Sequence, residues 1–344
     1  MIKEITSKKE WNTLLSEFSN HDFHHSYDYH DISKEDGTSI LLRYSESTTV
    51  ILLPLLVRKI EGTNYYDATS VYGYAGPLTK NVTIDFDNLN YQKALLAYFK
   101  SKNIVSVFAR LNPFIPFQQT VLKGIGDLQS KGQIVNINLL NPLELQVKSY
   151  SRRLRGQVNK LRKTCNVINL SSKEELQQFI NIYNENMDRV QAAPQYYFDN
   201  SYYTTLTESA NLNTRILLAV HNTTGEIIAG SMFIAGMDNI HYHLSGTKTK
   251  FLPMMPTKLL IDEMRVIASK DGFANFNLGG GLGGEADSLF NFKTKFSKDL
   301  KSFYVLKLIV NKKIYEELSI KNNSSPDTDY FPAYREYKNP KILL

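Results

Sequence analysis

"FNLGGGLGGEADSLFNFKTKF", residues 276–296, is the stretch on which the fold turns. Gly279, Gly281 and Gly284 fit G-x-G-x-x-G behind an apolar, strand-like run, a spacing that cradles a dinucleotide pyrophosphate on a helix N-terminus. A dinucleotide loop belongs to the first βαβ unit of its domain, with an acidic residue about 20 positions later at the end of the next strand. Here the glycines close an alternation of strands and helices and run into a Phe-Lys segment. The pattern therefore predicts a chain leaving a sheet edge to bring Lys293 somewhere useful. A loop with no role is the other reading.

Upstream, the chain repeats its own layout. Residues 39–60 and 214–237 each read as two β-rich runs around a polar turn, a hairpin. A strand-like segment follows each hairpin, then a helix, then a short strand. The first helix is "LNYQKALLAYFKSKNI", with Leu89, Leu95, Leu96 and Phe99 near one face. The second is "PTKLLIDEMRVIASKDGF", opened by Pro256 and stopped by Gly272. The two copies lie roughly 170 residues apart, which predicts duplication. Two more helical patterns precede the second copy, at 149–165 and 173–190, and a weaker one with Trp11, Leu14, Leu15 and Phe18 precedes the first.

The 344 residues suit two domains, and 42% hydrophobic content is enough to bury both. The longest apolar run, "VILLPLLV" at 50–57, is too short to span a bilayer. The first residues show no signal-peptide core, and the one cysteine, Cys165, excludes an internal disulfide. Both point to the cytoplasm. A net charge of +6 suits a phosphorylated ligand and permits nucleic acid without requiring it. The seven histidines and single cysteine lack metal-ligand spacing, so no metal is expected.

The element order is similar to that of GNAT acyltransferases, and two copies in tandem resemble the FemABX group. "NMDRVQAAPQYYF" (186–198), residues 240–280 and "DSLFNFKTKF" (287–296) carry the likeness in the second half. "YYDATSVYGYAGPL" (65–78) and "YFPAYR" (330–335) resemble the GNAT-type proteins found with surface-polysaccharide genes. The resemblance implies an α/β protein of two tandem GNAT-like domains with mixed sheets forming a cleft. Residues 1–147 with 322–344 would make the first domain, and 148–321 the second. It also implies an N-acyltransferase. The donor would be an acyl-CoA or an aminoacyl-tRNA. The acceptor would be an amino group on a nucleotide-activated sugar or a cell-envelope precursor. Two alternatives stand beside this: a tRNA-dependent aminoacyl transferase of the peptidoglycan-precursor type, and a non-catalytic binding module on the same fold. No DNA partner and no transmembrane segment are expected.

GNAT domains hold the donor where two parallel strands part, which here places the site between "NIHYHLSG" and "ANFNLGG". Backbone N–H groups around Leu244, Ser245 and Gly246 would take the acyl carbonyl. His243 or His241 would accept the amine proton, unless either is simply a satisfied group on a sheet face. In the FemABX likeness the lysine of F-K, here Lys293, lies near the reacting carbonyl, with Phe292 anchoring its segment and Gly280 and Gly281 leaving room for the ligand. A solvated lysine is the bland alternative. The likeness also assigns Arg189 and Tyr197 to the acceptor cleft, and Tyr72 and Tyr74 either to its wall or to core packing. Peptidoglycan-precursor binding is put in question because "VQAAPQ" lacks the family's further arginine. Arg152 and Arg155 lead a run of seven cations without an acid between Lys148 and Lys163, read as a phosphate or RNA contact or as a solvated face. The glycine pattern that cradles a CoA pyrophosphate is missing from "KFLPMMPTKLL".

Overall fold

The computed structural model describes residues 2–35, 37–326 and 328–336. The chain divides into two units, one of residues up to 131 together with those from 303 onward, the other of residues 132–302. The elements run β1 (Ile2–Ile5), α1 (Lys8–Leu15), α2 (Tyr27–Ser33), β2 (Thr38–Glu46), β3 (Thr49–Lys59), β4 (Tyr66–Thr69), β5 (Leu78–Lys80), α3 (Leu89–Ser101), β6 (Ile104–Arg110) and α4 (Gln118–Leu122). The chain passes into the second unit within β7 (Asp127–Asn138). There follow α5 (Leu143–Lys148), α6 (Arg152–Thr164), β8 (Cys165–Asn169), α7 (Lys173–Arg189), α8 (Asn200–Glu208), β9 (Asn213–His221), β10 (Ile227–Ala235), β11 (Asn239–Thr247), α9 (Thr257–Lys270), β12 (Asn275–Gly279) and α10 (Ser288–Lys293). It returns within β13 (Asp299–Ile309) and continues into α11 (Lys312–Lys321).

In the first unit the strand order is β1-β2-β3-β4-β6-β13, with β5 also paired to β3. The apolar runs of β2 and β3 bury both faces, as a covered sheet requires. Leu42 and Leu53 pack with Tyr91, Leu95 and Phe99 of α3, while Leu41 and Leu52 pack with Trp11, Leu14 and Leu15 of α1. Leu89, read above as part of the buried stripe, is exposed, and Tyr91 takes that place, because the helix axis puts the 91–95–99 row against the sheet. Residues 312–321, placed above in the second domain, pack in the first unit. Tyr315 sits with Ile60, Val105, Ala333 and Tyr334. "YFPAYR" fastens there: Tyr334 Oη meets Ser106 Oγ at 2.7 Å, and Arg335 pairs with the buried Asp67, which Arg58 also holds at 2.8 Å. Asp327 and residues 337–344, part of the tail expected to return to this domain, lie outside the described residues.

The second unit has the order β7-β12-β11-β10-β9-β8. Its central β10 is buried at every position, the sign of a strand covered on both faces. Leu154, Val158 and Leu161 of α6 and Leu260, Met264 and Ala268 of α9 cover one face against Phe233, Ile240 and Phe276. Helix α7 covers the other. It starts in a reciprocal capping box between Ser172 and Glu175. It lies so close that a Cβ on Gly246 would stand 2.6 Å from the carbonyl oxygen of Ile182. Helix α9 ends as its sequence predicts. Gly272 takes φ +84°, and the Phe273 N–H reaches back to the Ala268 carbonyl in a Schellman-type bond.

Candidate active site

Strands β11 and β12 run parallel, but they pair only from Asn239–Asn275 to His241–Asn277. Beyond that point they part. Gly279 turns to β7, with φ +78° and its N–H held by the Asn277 side chain at 2.7 Å. Strand β11 stays with β10, through a bulge that makes His243 the extra residue between the Phe233–Tyr242 and Met232–Leu244 pairs. Among the described residues, the β11 edge from Tyr242 to Thr247 therefore pairs on its β10 side alone. Its outward N–H groups face the opening that β12 has left.

The corresponding strands of the first unit behave differently. β4 and β6 pair to Thr69–Phe108, and the contact continues through Ser70, whose N–H bonds to Phe108 O at 2.8 Å, to a bridge between Ala75 and Leu111. The duplicated layout thus opens a gap in the second copy and closes it in the first.

Around the opening the side chains are fixed. His241 is buried, with Nδ1 3.2 Å from Asn277 Nδ2. His243 is half-buried, with Nε2 2.8 Å from Tyr202 Oη of α8. Phe198 stacks on Tyr202 at 4.0 Å and holds that ring in turn. Tyr242 and Ser245 lie on the opposite face, since the bulge shifts the alternation by one, and the Tyr242 hydroxyl bonds to Ser245 Oγ. Burial pushes the Tyr242 phenol pKa up, opposed by the neighbouring Ser245 and Ser231 hydroxyls. Gly246 lies under α7, so its missing side chain serves packing.

Lys293 closes α10 and is 7% exposed, not solvated. Asp287 caps that short helix by accepting the Phe290 N–H at 2.8 Å. Phe292 and Phe296, ring centroids 5.6 Å apart, seat the helix against the core. Lys293 Nζ donates to Gly280 O at 2.6 Å, on the loop that follows the parted β12. Burial lowers its pKa to about 8, and Asp287 acts against the shift. The glycines were read as room for a ligand. The close approaches they permit are within the unit: a Cβ on Gly280 would lie 2.8 Å from Gln133 O of β7, and one on Gly281 would lie 2.1 Å from Glu285 O.

The remaining residues fall in separate places. Arg189 and Tyr197 are both exposed and bond to neighbouring residues of the last turn of α7, Asn186 and Asp188 respectively. Tyr72, in the first unit, is exposed with the Arg110 guanidinium 5.5 Å from its ring. Tyr74 is half-buried against Phe303, centroids 5.2 Å apart, which favours the packing reading for it. Arg152 and Arg155 are exposed on the first turn of α6. Sequence reasoning missed Tyr202, Asn277, Asp287 and Lys258. Only the Asp287 N-cap had a readable signal, three residues before Phe290. Lys258, in the first turn of α9, is buried with Nζ 2.8 Å from Gln157 Oε1. Burial and the neighbouring Arg153 charge lower its pKa.

The sequence profile described as "Acetyltransferase (GNAT) domain" matches residues 148–293. These residues form a GNAT acetyltransferase domain. The match covers α6 to α10, so the parted strands and Lys293 all belong to it. The GNAT acyltransferase assignment is thereby fixed for the second unit. The chain as a whole has the fold of tandem GNAT and FemX-like proteins. It is similar to the crystal structure of FemX, at 14% identity over 92% of this chain and 99% of that one, TM-score 0.69. It is similar to L-PGS from Bacillus licheniformis, at 13% identity over 90% and 93%, TM-score 0.58. A tandem GNAT protein from the clavulanic acid biosynthesis pathway matches at 7% identity over 89% and 98%, TM-score 0.51. No curated protein matches the sequence. No helix among the described residues is long and apolar enough to cross a membrane.

Proposed function

We propose that the chain moves an acyl group, from an acyl-CoA or an aminoacyl-tRNA, to the amino group of a nucleotide-activated sugar or a related cell-envelope precursor. The observation that carries the reading is the parting of β11 and β12 after His241–Asn277, with the Lys293 ammonium bonded to the loop that leaves the opening. The profile match over residues 148–293 supports acyl transfer in general, and both donor classes stay open because "KFLPMMPTKLL" lacks the glycine pattern that cradles a CoA pyrophosphate.

In this reading the acyl carbonyl lies against the N–H groups of β11 near Leu244–Gly246. The acceptor amine attacks the carbonyl carbon, and the new oxyanion is stabilised by those N–H groups and by the Lys293 cation. His243, held by Tyr202, takes the proton the amine gives up. Collapse then expels a thiolate or a ribose oxygen, which takes up the proton that His243 accepted. Arg189 and Tyr197 contribute to acceptor binding.

The test is a donor-by-acceptor screen read by mass spectrometry, with acyl-CoAs and charged tRNAs against amino-sugar nucleotides. An acylated amine formed by the wild type, and on the order of a hundredfold slower by Lys293→Met, is the expected result. Tight ligand binding with no acyl product from any donor would replace the enzyme with the binding-module reading.

A further inference from the structure

Helices α5 and α6 carry a second feature that acyl transfer leaves unused. Leu140, Leu143 and Leu145 are 75%, 37% and 50% exposed within six residues, around Pro142. Leu143 stands one turn before Val147 on α5, and i, i+4 positions share a face. Val147 lines a cavity of about 200 Å³ with Arg155, Arg162, Arg265 and one carboxylate, Asp262. Leu143 therefore lies toward the cavity's rim, and Leu140 and Leu145 are exposed close to it in the chain.

The cavity is built, not incidental. Arg265 is 3% exposed and is held by Tyr150 Oη at 2.9 Å, Gln146 Oε1 at 2.9 Å and Asp262 at 3.0 Å. Arg162 reaches the other oxygen of Asp262 at 2.6 Å and Glu263 at 3.2 Å. Arg155 completes the lining, and among the described residues it has no ion-pair partner. The same holds for Arg152 and Arg153 beside it. Three guanidiniums against the Asp262 and Glu263 carboxylates leave one net positive charge, that of Arg155. Arg152, Arg153 and Arg155 also crowd the first turn of α6, where the helix dipole already places positive charge and no acid is present. That arrangement opposes the fold unless an anion is bound nearby.

We propose that this face docks on an anionic phospholipid surface, with the arginine cavity taking a headgroup phosphate and Leu140, Leu143 and Leu145 entering the acyl boundary. Exposed leucines beside a dense cationic face are the features of interfacial binding. An RNA backbone would use the arginines but would have no use for the leucines. The association requires no acyl transfer, so vesicle binding can be read independently of the proposed reaction.

The test is co-sedimentation of the full-length protein with vesicles of phosphatidylcholine alone or mixed with phosphatidylglycerol. Binding only to the anionic vesicles, weakening as salt is added, is expected. The Leu140→Ser/Leu145→Ser variant should lose most of it while keeping its melting temperature, because both side chains are exposed. The Arg152→Gln/Arg153→Gln/Arg155→Gln variant should bind on the order of a hundredfold more weakly. Unchanged binding in the leucine variant would overturn the proposal. So would absence of vesicle binding, and so would tRNA binding that the arginine variant loses and the leucine variant keeps.

Discussion

Lys293→Met removes one buried charge while nearly preserving side-chain length, and its effect can be worked out before it is measured. The ammonium titrates near pH 8 in the folded protein because it is buried, with Asp287 opposing the shift, against 10.5 for an exposed lysine. Below pH 8 both folded and unfolded chains carry the proton, and the full cost of burying the charge is present. Between pH 8 and 10.5 the unfolded chain holds more of the proton, so stability rises with pH. The shift corresponds to about 3 kcal/mol at roughly 1.4 kcal/mol per unit. The methionine variant has no such rise. It also loses the bond to Gly280 O, which costs about 1–2 kcal/mol. Near neutral pH the two effects largely offset, and the variant should fold. Urea unfolding of both proteins at several pH values from 7 to 10.5 isolates the term, because every other titrating group cancels in the difference. Turnover at pH 7 should fall on the order of a hundredfold. Wild-type turnover should decline as pH passes through about 8, where Lys293 gives up its proton. Parallel stability curves would refute the burial argument, and turnover within a few-fold of wild type would refute the catalytic one.

Tyr202→Phe keeps the Phe198 stack and deletes the bond to His243 Nε2. The expected result is a kcat about tenfold lower, with KM little changed and a displaced acidic limb in the pH–rate profile. Gly246→Ala forces a methyl against Ile182 O and should cost about 1–3 kcal/mol in denaturant unfolding. Arg335→Leu leaves the buried Asp67 with Arg58 as its remaining ion pair, so a loss of about 1–3 kcal/mol is expected in thermal or urea melts. Phe292→Ala removes a ring that seats α10, and should lower both melting temperature and turnover, unlike Lys295→Ala at an exposed position.

The layout was legible because it is written in periodicity. The hairpins at 39–60 and 214–237, the Pro256-to-Gly272 helix and the helical pattern at 173–190 are local patterns, and the structure forms them as β2–β3, β9–β10, α9 and α7. The opening between "NIHYHLSG" and "ANFNLGG" was reached only through family resemblance, since parallel pairing that stops after three residues leaves no local trace. The bulge at His243 was invisible for a similar reason: an extra residue in a strand is defined by its partner, β10. Helix α8 escaped notice because "NSYYTTLTE" has only Leu206 and Glu208 as strong helix formers, and Asp199 capping it is a single-residue signal. The burial of Lys293 reads as an ordinary surface lysine in sequence, and only the seating of Phe292 and Phe296 makes it otherwise.

The division of the chain has a consequence for how the protein is made. The first unit is assembled from residues up to 131 and from 303 onward, and the whole second unit lies between. A ribosome releasing the chain from its N-terminus completes residues 132–302 before the 303–309 part of β13 exists. Until then β6 lacks its partner from Val305 to Ile309, and Asp67 lacks Arg335. The half that starts first should therefore finish last, and its waiting sheet edge is the segment for which a nascent-chain chaperone would have the most use.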